Sequence, residues 1–340
     1  MRSMLWVSVV LACSVLALQE GRAVAGISVF PICTYSGDQE HVDVSDGVVV
    51  WRHYGEGIYT GDLGEHYTIP VVEHLSLGGN GHDFPAISGS IVVYERNAAG
   101  MGQKDIYAYD LDSNTEIAVC TAVGSIQYFP DISGDVAVWV DTRDVGGIYG
   151  KNLTDGNEFV VYQTVSGMSA ANPAIDGNIV VWDADGDIYG FDLSTQSSFT
   201  VCAHSGYQMH PAVSGRTVVW QDDRDGDYAI YGYDLDSNTE FRVFLGQDDQ
   251  EFPAIDGDIV VWKDEYYGIR GKVLSTGELL NIGGGSAAWY PAISGDLAAW
   301  QSHSGNWDIY GAYVPEPATL GLLALGVLSL PRKRRRPARP

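Results

Sequence analysis

The feature that most restricts the fold of this chain is a unit of roughly 40 residues that recurs along almost its whole length. The fullest copy runs from Pro211 to Val243. Within it, the β-branched and aromatic run Thr217 to Trp220 and the alternating run Ile230 to Leu235 have the pattern of strands. Turn residues separate these runs, and a further short strand is expected at Phe241 to Phe244. The unit is therefore predicted to be four strands joined by hairpins, without a helix.

The copies are counted by the aromatic residue that closes the second strand. This residue stands at Trp51, Tyr94, Trp139, Trp182, Trp220, Trp262 and Trp300. The spacings are 43, 45, 43, 38, 42 and 38 residues, and a phrase of the form P-A-I-S-G precedes most of the copies. A period of about 40 to 45 residues with four strands in each unit is typical of propeller blades. We therefore predict an all-β protein, a seven-bladed β-propeller of four-stranded antiparallel blades.

The seventh unit ends after its third strand, Asp308 to Tyr313, so its fourth strand must come from elsewhere. The segment Ile27 to Cys33 precedes the first unit by the distance that separates a fourth strand from the following unit elsewhere in the chain. We therefore expect the last blade to be closed by this N-terminal strand. Such a closure covers a strand edge that would otherwise invite aggregation.

Three cysteines lie in the repeat region, and each is expected to end a fourth strand. They are Cys33, Cys120 and Cys202, which fall in blades that are not neighbours. A disulfide requires Cα atoms within about 7 Å, so these residues cannot pair inside a closed ring. They are predicted to be buried free thiols that pack as small apolar side chains.

Residues 1–25 have the composition of an export signal. Arg2 is followed by an apolar run from Leu5 to Leu18 and then by the small residues Ala23-Val24-Ala25. This order predicts a secretory signal peptide that is cleaved before Gly26. A lipoprotein processing site at Cys13 is the alternative interpretation.

Residues 314–340 form a second address segment. They contain Pro315, Glu316 and Pro317, then an apolar run from Leu320 to Leu330 and a cluster of arginines. The apolar run is shorter than the ~20 residues that span a bilayer, so membrane contact is expected only through this tail.

The order of these elements resembles the PEP-CTERM sorting tail of exported bacterial proteins. The resemblance implies that an exosortase-type membrane protease recognises Pro315, Glu316 and Pro317 and removes the tail. It also implies that the body, residues 26–313, reaches the cell envelope, the cell surface or the extracellular space. A tail that stays uncleaved as a membrane anchor is the alternative, with the same location.

The repeat phrases themselves, P-A-I-S-G, V-V-W, an acidic loop and D-I-Y-G-Y-D-L, resemble the TolB-type propeller repeat. The resemblance covers residues 27 to 313 and implies the fold rather than a task. TolB itself pairs its propeller with an N-terminal α/β domain for which this chain has no room. The envelope-translocation role of TolB is therefore not expected here.

The charge balance restricts the partners. Of 19 basic and 44 acidic residues, eight basic and two acidic ones lie outside residues 26–313, which leaves 11 against 42 and a net charge near −31. A surface of this kind repels nucleic acid and anionic lipid and attracts cations. Binding to nucleic acid is therefore not expected.

Two loops between second and third strands carry alternating carboxylates around a glycine. One contains Asp183, Asp185 and Asp187, and the other contains Asp223, Asp225 and Asp227. Alternating carboxylates suit calcium, although the loops lack the glycine and glutamate positions of an EF-hand. The competing interpretation is that these residues cap hairpin turns, and that Arg143 or Arg224 pairs with a carboxylate of a neighbouring blade.

Three histidines lie near the start of a first strand, at His41, His82 and His210. These positions are expected at the channel mouth, where propeller-fold uronate lyases use a histidine cluster to hold a divalent metal. The aligned positions in the other blades carry Phe84, Phe129, Asn172, Phe252 and Tyr290, which favours an aromatic plug instead.

No nucleophile motif, phosphate loop or metalloprotease helix occurs in the sequence. We therefore expect a non-enzymatic, exported surface or matrix propeller that binds an envelope protein or a polysaccharide. The alternatives are a metal-dependent polysaccharide lyase that uses the three histidines, and a scaffold that calcium stabilises.

Overall fold

A computed structural model describes residues 27–63, 71–75, 81–98, 102–165 and 169–315. The predicted signal peptide, and the tail beyond Pro315 with Glu316 and Pro317, lie outside these residues. The described part contains seven four-stranded antiparallel sheets, each with its strands in chain order except the last, which takes up the N-terminal strand. The predicted fold is therefore confirmed.

The strands of the first three blades follow the N-terminal strand β1 (Val29–Cys33). The first blade contains β2 (Gln39–Ser45), β3 (Val48–His53), β4 (Gly57–Asp62) and β5 (Val71–His74). The second contains β6 (His82–Ser88), β7 (Ile91–Asn97), β8 (Lys104–Asp110) and β9 (Thr115–Cys120). The third contains β10 (Gln127–Ser133), β11 (Val136–Asp141), β12 (Gly147–Asn152) and β13 (Glu158–Gln163).

The remaining four blades repeat this arrangement. The fourth contains β14 (Ala170–Asp176), β15 (Ile179–Ala184), β16 (Asp187–Asp192) and β17 (Ser197–Cys202). The fifth contains β18 (Gln208–Ser214), β19 (Thr217–Asp222), β20 (Ala229–Asp234) and β21 (Thr239–Phe244). The sixth contains β22 (Gln250–Asp256), β23 (Ile259–Asp264), β24 (Gly268–Val273) and β25 (Leu279–Gly284). A 3₁₀ turn at Gly285–Ala287 leads into the seventh, with β26 (Ala288–Ser294), β27 (Leu297–His303) and β28 (Trp307–Tyr313).

The ring closes between the seventh and the first blade. The first strands of successive blades lie side by side around the axis, and β26 meets β2 in the same way. Strand β1 pairs antiparallel with β28 and becomes the outer strand of the last blade, with Phe30 opposite Gly311. Ile32 and Cys33 of β1 are buried in a core cluster with Trp51 and Ile309. The N-terminal strand thus joins the last blade to the first, as predicted.

A hydrogen bond links each blade to the next at the end of the first strand. The final Ser or Asp of that strand accepts the backbone N–H of the turn residue in the following blade, as Ser45 does from Gly89 at 3.0 Å. The same bond joins Ser88 to Gly134, Ser133 to Gly177, Asp176 to Gly215, Ser214 to Gly257 and Asp256 to Gly295. The hydroxyl oxygen of Ser294 accepts the backbone N–H of Asp46 at 3.1 Å and so links the seventh blade to the first. The serine or aspartate of the repeated phrase is therefore a joint between blades.

The glycine of the third strand makes room for the fourth. In the fourth blade, a Cβ built on Gly190 would lie 2.4 Å from the ring of Phe199. Gly150 and Gly232 are blocked in the same way by Phe159 and Phe241. Since real Cβ contacts are never this short, a larger residue at these positions would push the outer strand away.

The two ends of the propeller differ in the loops that they carry. We call one end the collar face; its described segments are 34–38, 54–56, 75, 81, 98, 102–103, 121–126, 142–146, 164–165, 169, 185–186, 203–207, 223–228, 245–249, 265–267, 285–287 and 304–306. The opposite end is the turn face, and its segments are 46–47, 89–90, 111–114, 134–135, 153–157, 177–178, 193–196, 215–216, 235–238, 257–258, 274–278 and 295–296. The N–H of Val314 donates to the carbonyl of Asp296 at 2.7 Å, so the chain leaves the ring at the turn face.

Candidate functional site

Seven equivalent residues of the first strands surround the channel at its collar-face end. We call this set the collar; it consists of His41, Phe84, Phe129, Asn172, His210, Phe252 and Tyr290. The rings of neighbouring members are in contact, with centroids 3.9 Å apart for His41 and Phe84 and 4.3 Å for Phe252 and Tyr290. Asn172 interrupts this series of rings. The aromatic plug predicted from the repeat alignment is therefore present.

The collar residues share a backbone conformation that side chains rarely adopt. All seven have φ between 45° and 52°. The other described non-glycine residues with positive φ are Asp, Asn or Gln in turns, types that tolerate this region better than Phe or Tyr. Each first strand has an irregular register at this point, as between Met209 and Ala212. The first strands therefore begin about three residues before the proline of the repeated phrase, which marks the start of the unit in the sequence. A bulge at the collar residue directs its side chain into the channel.

In some blades a side chain of the preceding blade holds the collar backbone in this conformation. Where the residue after the anchor aromatic is Gln or Glu, its side chain accepts the collar N–H, as Gln221 does from Phe252 at 2.9 Å. The same bond joins Gln301 to His41 and Glu95 to Phe129, both at 2.8 Å. Since the bulge removes this N–H from the strand ladder, the side-chain acceptor replaces a lost backbone partner.

Replacing Gln221 by Met is expected to lower the free energy of unfolding by about 1–3 kcal/mol, because the Phe252 N–H then has no acceptor in a buried place. Gln221 is only 2% exposed. Thermal or urea unfolding measures the change. The exposed Gln247 provides the matched control, since its replacement by Met removes the same amide without affecting a collar residue. Equal stabilities of the two variants would contradict the assigned role.

The channel behind the collar is a cavity of about 510 Å³. Its wall consists of the collar, of the prolines that follow six of the collar residues, and of the residues one step further along each first strand. Five blades have alanine at this last position, but the first has Asp43 and the third has Asp131. No Lys or Arg is among the lining residues of this cavity in the described part of the chain.

Asp43 and Asp131 each accept a backbone N–H from the next blade, from Ile87 and Ile175 respectively, at 2.8 Å. Burial raises the pKa of Asp43 to about 6. Burial also raises the pKa of Asp131, to about 7, and the charge of Asp43 contributes to this shift. Asp43 and Asp131 were not among the residues predicted from the sequence, although both depart from the alanine of the repeated phrase.

The three candidate histidines do not form one group. His41 and His210 belong to the collar, on the first and fifth blades, whereas His82 is buried beside Tyr94 and does not line the channel. Nδ1 of His41 lies 2.7 Å from Asp83, which Arg52 also contacts. Burial lowers the pKa of His210 to about 4, so its ring is neutral at pH 7.

The six candidate aspartates also have separate surroundings. The carboxylate of Asp183 accepts a hydrogen bond from the side-chain amide of Asn172 at 2.8 Å, and burial raises the pKa of Asp183 to about 6. Asp223 accepts the N–H of Tyr207, and Asp225 accepts from Tyr231 and Arg242. Asp185 lies in a turn with φ 52°, Asp187 accepts from Tyr189, and Asp227 is on the collar face. Within the described ranges, no three His, Cys, Asp or Glu side chains are close enough together to hold a metal ion.

The two loop arginines pair differently from the expectation. Arg224 contacts Asp222 and Glu240, which belong to its own blade, and its contact with the neighbouring blade is the thiol of Cys202 at 2.9 Å. Arg143 repeats this arrangement with Asp141, Glu158 and Cys120. The predicted pairing with a neighbouring blade's carboxylate is therefore wrong, because the outer strand of that blade presents a cysteine at this point.

All three cysteines are free and buried. Burial raises the pKa of Cys120 and of Cys202 to about 11, although an arginine next to each thiol acts in the opposite direction. The thiols are therefore protonated at neutral pH and serve in packing.

Exposed apolar side chains concentrate on the collar face. Fifteen large hydrophobic residues of the described chain are exposed, and eleven of them lie in the loops of the collar face or in the collar. These are Tyr35, Tyr54, Val123, Ile126, Val145, Val165, Tyr207, Leu245, Tyr266, Tyr267 and Tyr290. The other four are on outer strands, so the described turn face has none.

A known sorting motif matches the C-terminal end. The model of the PEP-CTERM protein-sorting motif covers residues 314–336. The chain carries a PEP-CTERM tail. The motif implies recognition by an exosortase, and it makes this an exported protein that the tail anchors in the membrane and that is processed at the envelope. In the part of the chain that the structure describes, no helix has the length and apolarity needed to cross a membrane.

Solved structures show the same fold at low identity. An oligogalacturonate lyase in complex with manganese has a TM-score of 0.60 and 13% identity, over 86% of this chain and 99% of the other. The propeller domain of the Trilobed protease from Pyrococcus furiosus has a TM-score of 0.59 and 12% identity, over 82% and 94%. TolB proteins are also among the similar structures; the one from Acinetobacter baumannii has a TM-score of 0.47 and 14% identity, over 81% and 79%. No protein with a curated description has a significantly similar sequence.

Proposed function

We propose that this protein is a non-enzymatic binding protein of the cell surface or matrix, which uses its collar face to bind an envelope polysaccharide or protein. The observation that carries the proposal is the distribution of exposed apolar side chains. Tyrosines are effective binding residues because they combine a large rigid ring with a hydroxyl group. A folded protein has no need of many exposed rings on one end alone, so their concentration favours a contact surface.

The position of the tail agrees with this use. The last described residue, Pro315, follows Val314 on the turn face. A tail that anchors the protein from this end leaves the collar face directed away from the membrane. The tyrosines would then be presented to the surroundings of the cell.

The placement of the histidines and aspartates supports a non-enzymatic role. A lyase metal would need several of these side chains to converge on one point. Instead, no three such side chains of the described residues converge, and His82 lies away from the channel. The candidate aspartates are engaged in turns and in contacts between strands.

Purified protein is expected to bind at least one member of a panel of envelope polysaccharides and envelope proteins without changing it chemically. Replacing both Tyr54 and Tyr266 by Ser should weaken this binding at least about tenfold, since aromatic anchors dominate such contacts. These side chains are 63% and 67% exposed. Affinity is measured by titration, and turnover by analysis of product length.

The matched control changes exposed apolar residues outside the collar face. Val160 and Leu279 lie on outer strands and are 45% and 36% exposed. Replacing both by Ser should leave the affinity unchanged. Absence of binding to every member of the panel, equal losses in both double variants, or cleavage of a polymer would contradict the proposal.

A further inference from the structure

We propose that the central cavity binds an amino sugar, a saccharide with a primary ammonium group, whose ring packs on the collar while its ammonium group pairs with Asp43 and Asp131. This inference rests on the proposed function and names the ligand class of the same site. It follows from the composition of the cavity wall, taken layer by layer.

The outer layer of the wall is aromatic. Phe84, Phe129, Phe252 and Tyr290 contribute their rings to the collar, and Tyr290 is 39% exposed. The face of an aromatic ring is electronegative and attracts the positively polarised C–H bonds and the cationic groups of a ligand. Sugar rings have two faces of such C–H bonds. The cavity volume of about 510 Å³ lies within the range of small-molecule sites.

The inner layer carries two carboxyl groups, and none of its described residues is basic. Asp43 and Asp131 line the cavity on both sides of the second blade, where Ala86 stands at the equivalent position. Both carboxylates accept backbone N–H groups. Since the described residues that line the cavity include no Lys or Arg, a cationic group of the ligand would complement these carboxyl groups.

Other ligand classes fit this wall less well. A uronate would bring a further negative charge next to Asp43 and Asp131, and like charges in a partly desolvated place repel. The hydroxyl groups of a neutral sugar would replace the hydrogen bonds of water to the two carboxylates, but they would leave the charge of the carboxylates unneutralised. A lysine side chain of a protein partner would satisfy the charge, but it has no ring to pack on the aromatic side chains of the collar.

The test compares two oligosaccharides that differ only in charge: an oligomer of glucosamine and the N-acetylated oligomer of the same length. With the full protein, we expect the glucosamine oligomer to bind at least about tenfold more tightly, and its affinity to fall as salt is added. The salt titration needs no variant and therefore tests the charge requirement independently of folding.

Replacing both Asp43 and Asp131 by Asn should weaken binding of the glucosamine oligomer at least about tenfold and abolish the preference over the acetylated oligomer. Asn keeps a carbonyl oxygen for the N–H groups of Ile87 and Ile175. The matched control removes the same two charges from the turn face, by replacing the exposed Asp46 and Asp112 with Asn. This control should leave the affinity unchanged.

Equal binding of the two oligosaccharides would overturn the inference and leave the proposed function intact. If neither oligosaccharide binds but another member of the envelope panel does, the inference is also overturned and the proposed function stays intact. Tight binding of spermidine or of a lysine-rich peptide without binding of the glucosamine oligomer would overturn the choice of a saccharide. If no polysaccharide and no protein binds, both the inference and the proposed function fail.

Discussion

Replacing Ile32 by Asp is expected to destabilise the propeller by on the order of 4 kcal/mol, because the substitution removes a buried side chain and places an unpaired charge in the joint between the last and first blades. Ile32 is 5% exposed and packs in one cluster with Trp51 and Ile309. Loss of the closing strand exposes β28, whose free edge can then pair with another chain. Thermal unfolding and size-exclusion chromatography should show a lower melting temperature and a shift to larger species than in the wild type.

The same strand provides the control. Val29 is 42% exposed and lies at the start of β1. Its replacement by Asp adds the same charge to the same strand outside the core, and surface changes of this kind usually cost less than about 0.5 kcal/mol. If the two variants lose the same stability, or if the Ile32 variant melts like the wild type, β1 does not close the ring in the way described.

Replacing Asp131 by Asn is expected to make the stability of the protein less dependent on pH between about 4 and 7. Burial, together with the charge of Asp43, raises the pKa of Asp131 from 3.8 to about 7. The folded protein therefore binds this proton more tightly than the unfolded chain does. The stabilisation from the protonated carboxyl is complete below pH 4 and is lost as the pH rises to about 7.

Between pH 4 and pH 8, the wild type should lose on the order of 1–3 kcal/mol more stability than the Asn variant, since one unit of pKa shift corresponds to about 1.4 kcal/mol. Urea unfolding at the two pH values measures this difference. An Asn substitution at the exposed Asp112 should leave the wild-type pH dependence unchanged. The same pH dependence in the Asp131 variant and the wild type would show that this carboxyl is not buried in the channel as described.

Much of the candidate site was predictable from the repeat. Alignment of the copies places His41 and His210 at the same repeat position as Phe84 and Tyr290, so an aromatic plug at the channel mouth followed from the sequence. The partners of the loop side chains could not be predicted from the sequence. Arg224 was expected to reach a carboxylate of the neighbouring blade, but that blade presents Cys202 at this distance.

The role of the two cavity carboxylates could not be predicted from the sequence either. In the sequence, Asp43 and Asp131 are two substitutions for alanine in a repeated phrase. Their raised pKa values depend on how much water the closed ring leaves in its centre, which no single repeat contains. His82 was grouped with His41 because it lies near a collar residue in the chain. It is two residues before Phe84, but the bulge between Asp83 and Ala86 turns Phe84 into the channel, whereas His82 lies beside Tyr94.

The amino-acid sequence by itself determined the number of blades, the four strands in each, the N-terminal strand that closes the ring and the sorting tail, because hydrophobic alternation, turn residues and a repeat period act within one unit. Only the tertiary structure decided which side chains meet across blades, how the bulge turns the collar into the channel, and that the exposed tyrosines and the last described residue, Pro315, lie at opposite ends. These properties depend on distances between residues of different blades, and ring closure sets those distances.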